Sequence, residues 1–266
     1  MAPIDLSLLD VGRLDRLAGG DSPVHRLDPR AKLLTTAAFV VCVVSFGKYE
    51  VSALLPFLLF PIAVASAAGL PFGYLLRKLL LVSPFAVLVG AANPFFDRET
   101  LVQLGPWAVS GGWVSFASIL LRFTLTVGAA LVLISTTSFH GVCLALNRVG
   151  VPRVMTVQLL LLYRYLFVLT DEAVRLVRAR ALRSFGRRGL GVRVFASLVG
   201  HLLLRTLARA QRIHRAMLSR GFDGEVRLMR PLEMGTRELV FVGGWCAAFL
   251  LFRWVNVARL LGAWIS

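Results

Sequence analysis

The chain has 266 residues, of which 57% are hydrophobic, a formal net charge of +16 and a mean hydropathy of +0.75. Ordinary globular domains hold roughly 45–50% apolar residues, so this composition argues against a soluble protein. The basic residues have no aromatic platform among them, which argues against nucleic-acid binding as the reason for the charge. We therefore predict an all-α, polytopic membrane protein with about five transmembrane helices and two or three long cytoplasmic helices.

The chain begins with a polar lead-in, residues 1–28, which has no apolar core and is not expected to be a signal peptide. Arg30 and Lys32 directly precede the first apolar run, residues 33–46. Because basic segments beside a span stay on the cytoplasmic side, the amino terminus is predicted to be cytoplasmic.

Three further apolar runs are predicted spans: residues 51–70, 79–92 and 113–135. Residues 70–78 are interpreted as a short cytoplasmic loop, with Tyr74 as the alternative start of the third span. Residues 93–112 are rich in turn residues and mixed in charge, which is typical of an outside loop.

Three residues interrupt these runs. Pro56 and Pro61 are expected to kink the second span. Arg122 lies inside the fourth, where an ionisable side chain marks a functional site by default. The alternative interpretation of Arg122 is a hydrogen bond between helices or snorkelling of its side chain, and the sequence leaves both interpretations open.

The pattern changes beyond the fourth span. Thr137 and Ser138 are typical helix starts, and Pro152 is expected to break the helix that follows. The next apolar segment, residues 154–169, is short for a span, and we interpret it as a partly embedded helix that emerges at Asp171. If this segment crosses the membrane, the chain has six spans rather than five.

A second long helix is predicted over residues 194–217, before a last span over residues 239–264. Eighteen of the 30 basic residues lie between Arg148 and Arg237, against five acidic ones, which favours a cytoplasmic location. The helical period gives the predicted helix two faces. One face carries Arg205, Arg209 and Arg212, and the other carries Leu203, Leu207, Ala210 and Met217.

Motifs for catalysis or ligand binding are scarce. The sequence has no P-loop for ATP, no GxSxG motif of a serine hydrolase and no HExxH motif of a zinc enzyme. Its cysteines and histidines are too scattered for a metal site or a disulfide framework. These residues are Cys42, Cys143 and Cys246, and His25, His140, His201 and His214.

Two arginine-rich segments are the main functional feature that is left. Each ends in glycines, which turn the chain through positive φ and leave an arginine at the helix tip, Arg183 in the first segment and Arg220 in the second. A guanidinium at such a tip suits a carboxylate on a protein partner or a lipid headgroup, and the residues alone leave both open. The glycines are Gly186 and Gly189, and Gly221 and Gly224.

Four stretches resemble the transmembrane coupling subunit, or T component, of energy-coupling factor transporters of the cobalt/nickel group. They read HRLDPRAKLL from His25, STTSFHGVCLALNRVGVPR from Ser135, LLYRYLFVLTDEAVRLVRARALRS from Leu161 and HRAMLSRGF from His214. The resemblance covers nearly the whole chain and is most specific in its second half.

The resemblance implies that two cytoplasmic coupling helices end in Ala-Arg-Gly-like motifs and dock onto two ATPase subunits. This sequence keeps both arginines, but it has Ser219 in place of the alanine of the second motif, and the first motif, Leu182-Arg183-Ser184, keeps only its arginine. The implied coupling residues are Ala216, Ser219, Arg220 and Gly221 in the second motif, and Arg183 and Ser184, with Arg180 in a competing register, in the first.

The resemblance further implies a non-catalytic subunit of an ATP-driven importer for cobalt, or alternatively nickel, in which partner subunits hydrolyse ATP. The expected partners are the ATPase subunits, a substrate-binding membrane subunit and the lipid bilayer, without nucleic acid, cofactor or resident metal. A T component for a vitamin and an integral membrane enzyme acting on anionic lipids are the alternatives.

These predictions divide the chain into three parts. Residues 1–135 hold the lead-in and the first four spans, residues 136–238 the coupling-helix region, and residues 239–266 the last span. The protein is expected in the cell membrane, with the amino terminus and residues 136–238 in the cytoplasm.

Overall fold

The computed structural model describes residues 15, 17–47, 50–96, 100–104, 107–183, 191–224 and 234–254. The chain divides into two compact units. The larger unit comprises the described residues of Gly12–Ala145 and Leu232–Ser266, and the arginine-rich unit comprises those of Leu146–Pro231.

The larger unit is built from helices and one short hairpin. Helix α1 covers Pro29–Val44. One apolar stretch comes next and consists of α2 (Val51–Leu54), a 3-10 turn (Leu55–Leu58) and α3 (Leu59–Ala67). They are followed by α4 (Phe72–Gly90), α5 (Asn93–Phe96), β1 (Thr100–Leu104), β2 (Trp107–Ser110), α6 (Gly111–Val149) and α9 (Thr236–Trp254). The arginine-rich unit contains the end of α6, α7 (Arg153–Arg183) and α8 (Val192–Ser219).

The described helices support the predicted all-α membrane fold. Three of them are long and apolar enough to cross a membrane, namely α4, α6 and α7, and Val51–Ala67 is a shorter apolar stretch. Helix α7 contains residues 154–169, the segment on which the choice between five and six spans depends. The last predicted span begins as α9, and its residues 255–264 lie outside the described part of the chain.

An aromatic cluster holds the amino-terminal and carboxy-terminal helices of the larger unit together. The Phe39 ring of α1 lies 4.8 Å from Phe60 of α3 and 5.4 Å from Phe249 of α9, measured between ring centroids. Trp245 of α9 lies edge-on against Phe60 at 5.0 Å. Aromatic pairs at these distances add stabilisation beyond that of the apolar area they bury.

Two predicted loops in this unit contain regular structure. Residues 72–78, interpreted as part of a loop, belong to α4, which begins directly after Pro71. Pro71 is the N-cap residue, and its carbonyl accepts from the Leu75 amide at 3.3 Å, which closes the first turn of α4 before the apolar run begins. The loop over residues 93–112 contains an antiparallel hairpin in which Val102 pairs with Val109.

Arg122 makes a hydrogen bond to a turn rather than to another helix. Its guanidinium donates to the carbonyl of Gly47, in the turn that follows α1. Arg253 of α9 donates to the carbonyl of Ser45 in the same turn, at 3.3 Å, and lies over the Phe46 ring. Two arginines from distant helices thus satisfy carbonyls at the carboxyl end of α1, where cations are favoured.

A break in α6 at Ser138 confirms the helix start predicted there. Ser138 has φ 54° and ψ 156°, which an L-residue adopts at a cost of roughly 1–3 kcal/mol. Its side-chain oxygen accepts from the Gly141 amide at 3.2 Å, as an N-cap does. Asp15 accepts from the Phe139 amide at 3.3 Å. The residues after Ser138 therefore form a newly capped helix.

Lys32 fastens α1 to this break. Its side chain is buried, and its ammonium donates to the Thr136 carbonyl at 2.8 Å. That carbonyl lies two residues before Ser138, where the break interrupts the helical hydrogen-bond ladder. We name the set of Asp15, Lys32 and Ser138 the α6 junction, because each supplies a group that the interrupted helix lacks.

The arginine-rich unit begins with a sharp turn between α6 and α7. Gly150 has φ 114°, and the Val151 amide donates to the Leu146 carbonyl at 3.1 Å, which closes the end of α6. Pro152 follows, as the sequence predicts, and α7 then runs without a break to Arg183. Helices α7 and α8 pack against each other within this unit.

Candidate coupling interface

Helix α8 ends in a Schellman turn at the second predicted motif. Gly221 has φ 78°, its amide donates to the Leu218 carbonyl, and the Phe222 amide donates to the Met217 carbonyl, both at 3.0 Å. This pair of bonds defines the motif and satisfies carbonyls that the helix end would leave unpaired. The glycine of the motif is therefore required by backbone geometry, because L-residues disfavour positive φ.

The turn leaves the arginine of the motif at an exposed helix end. Arg220 is the C-cap residue, with φ −98° and ψ 10°, and its side chain is exposed. Ala216 and Ser219 are also exposed, and the Ser219 hydroxyl donates to the Arg215 carbonyl at 3.0 Å. A serine in place of alanine thus satisfies its own hydroxyl within the helix.

The first predicted motif lies at the end of α7. Arg183 is the last residue of that helix and is exposed, whereas Arg180 is half-buried. Ser184 lies outside the described residues, as do Gly186 and Gly189. The difference in exposure favours Arg183 over Arg180 as the tip residue, and the docking role of both motifs stays a prediction.

Glu172 joins the two long helices in a cluster of charges. Its carboxylate lies 2.9 Å from Arg205 and 3.6 Å from Arg209, both on α8, and 3.9 Å from Arg175 on its own helix. The hydrogen bond from Arg205, with the charges of the neighbouring arginines, holds the pKa of Glu172 below its usual value. Glu172 follows the apolar part of α7 in the sequence. Its pairing with the arginines stabilises the folded state at neutral pH, and this stabilisation is lost as the pH falls through the lowered pKa.

The sequence pattern placed Arg205, Arg209 and Arg212 on one face, and the structure confirms it. All three line a cavity of about 280 Å³ together with Glu172. We name these four residues the arginine cleft. The ion pairs of these arginines with Glu172 were not predicted from the sequence, although an acidic residue among so many arginines was a signal for them.

Part of the other predicted face of α8 lies towards α7, whereas its Leu203 is exposed. Leu207, Ala210 and Met217 line a second cavity, of about 380 Å³, with Leu161 and Tyr165 of α7. Phe222 and Met217, which pack beside each other in many Schellman turns, both line it. The apolar cavity between α7 and α8 is thus also lined by two residues of the turn that carries Arg220.

Two glycine substitutions are expected to change stability in opposite directions, one in the Schellman turn and one inside α8. We expect Gly221→Ala to lower the free energy of unfolding by about 1–2 kcal/mol, because alanine is strained at φ 78°. Gly200→Ala, inside α8 with open space around it, should raise that free energy by about 0.5–1 kcal/mol. Thermal unfolding in detergent, followed by circular dichroism, measures both changes. Equal shifts of the two midpoints in one direction would contradict the assignment of a Schellman turn at Gly221.

Comparison with known proteins places these features in a family. The sequence profile of the cobalt transport protein family CbiQ matches residues 20–231, which include the α6 junction residues Lys32 and Ser138, the arginine cleft and the Schellman turn. An energy-coupling factor transporter transmembrane protein EcfT of Heliobacterium modesticaldum is 31% identical over 87% of this chain and 92% of its own length.

Two further relatives are similar over different shares of their length. The cobalt transport protein CbiQ of Salmonella typhimurium is 31% identical over 60% of this chain and 71% of its own. A putative ABC transporter ATP-binding protein of Bifidobacterium longum is 26% identical over 83% of this chain but only 30% of its own. The chain belongs to the CbiQ family of cobalt transport proteins and is a T component of the energy-coupling factor type.

Proposed function

We propose that this chain is the transmembrane coupling subunit of an ATP-driven importer for cobalt, with nickel as the alternative cargo. In this proposal it binds no nucleotide itself. It receives the nucleotide-driven movement of ATPase subunits and passes it to a substrate-binding membrane subunit.

The observation that carries the proposal is the construction of the arginine-rich unit. Helices α7 and α8 are joined through Glu172, and each carries an exposed arginine, Arg183 or Arg220, at its carboxyl end. Two helices that are joined by ion pairs and have exposed cationic ends suit the transfer of a rigid-body movement from a partner with carboxylates on its surface.

The relatives support the same reading. Two carry the names of transporter transmembrane or cobalt transport proteins, which favours a non-catalytic subunit over the alternative of an enzyme acting on lipids. The relative named as an ATP-binding protein matches this chain over a minor part of its length, which supports an ATPase as partner. A vitamin is a further alternative cargo, since the EcfT name states no substrate.

Co-purification in mild detergent tests the predicted partners. We expect the tagged chain to retain ATPase subunits and one further membrane protein, and the retained ATPase to hydrolyse ATP. Isolation of the chain without any ATPase, from cells that express the whole transporter, would contradict the proposal. The retained membrane protein is then tested for binding of cobalt, nickel and a vitamin, which decides among the three cargoes.

A further inference from the structure

The arginine cleft carries more positive charge than its carboxylate neutralises. Three arginines and one glutamate line it, and Glu172 pairs with Arg205 and Arg209. Arg212 forms no ion pair with any residue that the structure describes, and its side chain is exposed. A cleft that contains a guanidinium without a counter-charge suits an anion with several acceptor oxygens, because guanidinium matches phosphate in geometry.

A second feature of α8 indicates the source of that anion. Large apolar side chains with exposed fractions of 46% to 87% form a stripe along the amino-terminal half of the helix. The stripe follows the helical period and consists of Val192, Phe195, Val199 and Leu203. A helix with an exposed apolar stripe and an arginine face has the features of one that lies in the membrane interface.

We propose that the arginine cleft binds the phosphate group of an anionic phospholipid, with Arg212 as its main ligand, while the apolar stripe of α8 contacts the acyl region. Charge complementarity carries this choice of occupant: the cleft is cationic, and the apolar surface on the same helix suits acyl chains rather than an aqueous ion. Anionic lipid would then hold α8 at the membrane surface. The lipid site does not depend on the proposed contact of Arg183 and Arg220 with ATPase subunits.

Lipid binding to the full-length chain in detergent tests this site. A fluorescent phosphatidylglycerol should bind more tightly than the matching phosphatidylcholine. Arg212→Gln should weaken the binding of phosphatidylglycerol about fivefold, the effect of about 1 kcal/mol per basic residue at an anionic surface. Arg212→Lys, which keeps the charge, should weaken it less.

Arg215→Gln is the matched control, since Arg215 is exposed on the same helix but does not line the cleft. It should leave binding near the parent value. Equal weakening by Arg212→Gln and Arg215→Gln would reduce the effect to general surface charge and overturn the proposal, as would unchanged binding in Arg212→Gln. Circular dichroism checks that both variants keep the parent helix content.

Two competitors distinguish the lipid from other anions. Inorganic phosphate at the same concentration should displace little of the lipid, because it lacks the acyl chains that meet the stripe. Full displacement by phosphate would show a free-anion site. Binding of a polyglutamate peptide that Arg212→Gln abolishes, with equal binding of the two phospholipids, would assign the cleft to an acidic protein segment. Either result would overturn the lipid assignment.

Discussion

Replacing Arg220 by glutamate is expected to weaken the association of this chain with its ATPase partner about 30-fold or more and to abolish metal uptake. A buried arginine at the centre of a protein interface commonly contributes 2 kcal/mol or more, and charge reversal adds repulsion from the partner carboxylate. Co-purified ATPase, quantified per mole of the chain, and metal uptake by cells measure the two effects.

The design isolates the charge of Arg220 from the shape of the turn. Arg220 has φ −98° and ψ 10°, which glutamate also adopts, and its backbone amide rather than its side chain bonds to the helix end. Arg215→Glu reverses the same charge on the same helix and should leave association close to the parent level. Parent-level association and uptake in Arg220→Glu would show that this helix end does not contact the ATPase.

Replacing Lys32 by methionine is expected to lower the free energy of unfolding by about 1–3 kcal/mol. The substitution keeps the apolar stem but removes the donor to the Thr136 carbonyl, and a buried polar group without a partner costs about that much. The lost hydrogen bond belongs to the α6 junction, where the surrounding contacts hold Ser138 in its strained backbone conformation. Chemical unfolding in detergent, followed by tryptophan fluorescence, measures the change.

Arg26→Met is the control for this experiment. Arg26 pairs with Asp21 at 2.8 Å, but both side chains are largely exposed, so the pair adds little to stability. We expect a smaller change than in Lys32→Met. If Lys32→Met is as stable as the parent protein, the hydrogen bond to Thr136 does not support the junction.

Helix ends that depend on local chemistry were predictable from the sequence. Ser138 starts a helix because its hydroxyl caps the amides that follow, and Pro152 separates two helices because it lacks an N–H. The arginine face of α8 was equally accessible, because the helical period alone sets which residues share a face.

Contacts between distant segments were not predictable in the same way. The period shows that Arg205 and Arg209 share a face, but it does not show that Glu172, more than 30 residues away, lies opposite them. Lys32 was interpreted as a basic residue at the start of a span, whereas its burial depends on a carbonyl that only the break at Ser138 makes available.

The hairpin over residues 100–110 escaped prediction for another reason. Its strands are only five and four residues long, and segments of that length between turn residues are as typical of a loop as of a sheet. Pairing of the strands, which the sequence does not display, decides between the two.

Reconstitution of the complete complex into proteoliposomes tests the central claim most directly. With this chain, its ATPase subunits and the substrate-binding membrane protein, we predict cobalt uptake that requires ATP and stops when this chain is omitted. Uptake at the same rate without this chain, or ATP hydrolysis in its presence with no movement of cobalt, nickel or a vitamin, would contradict a coupling role.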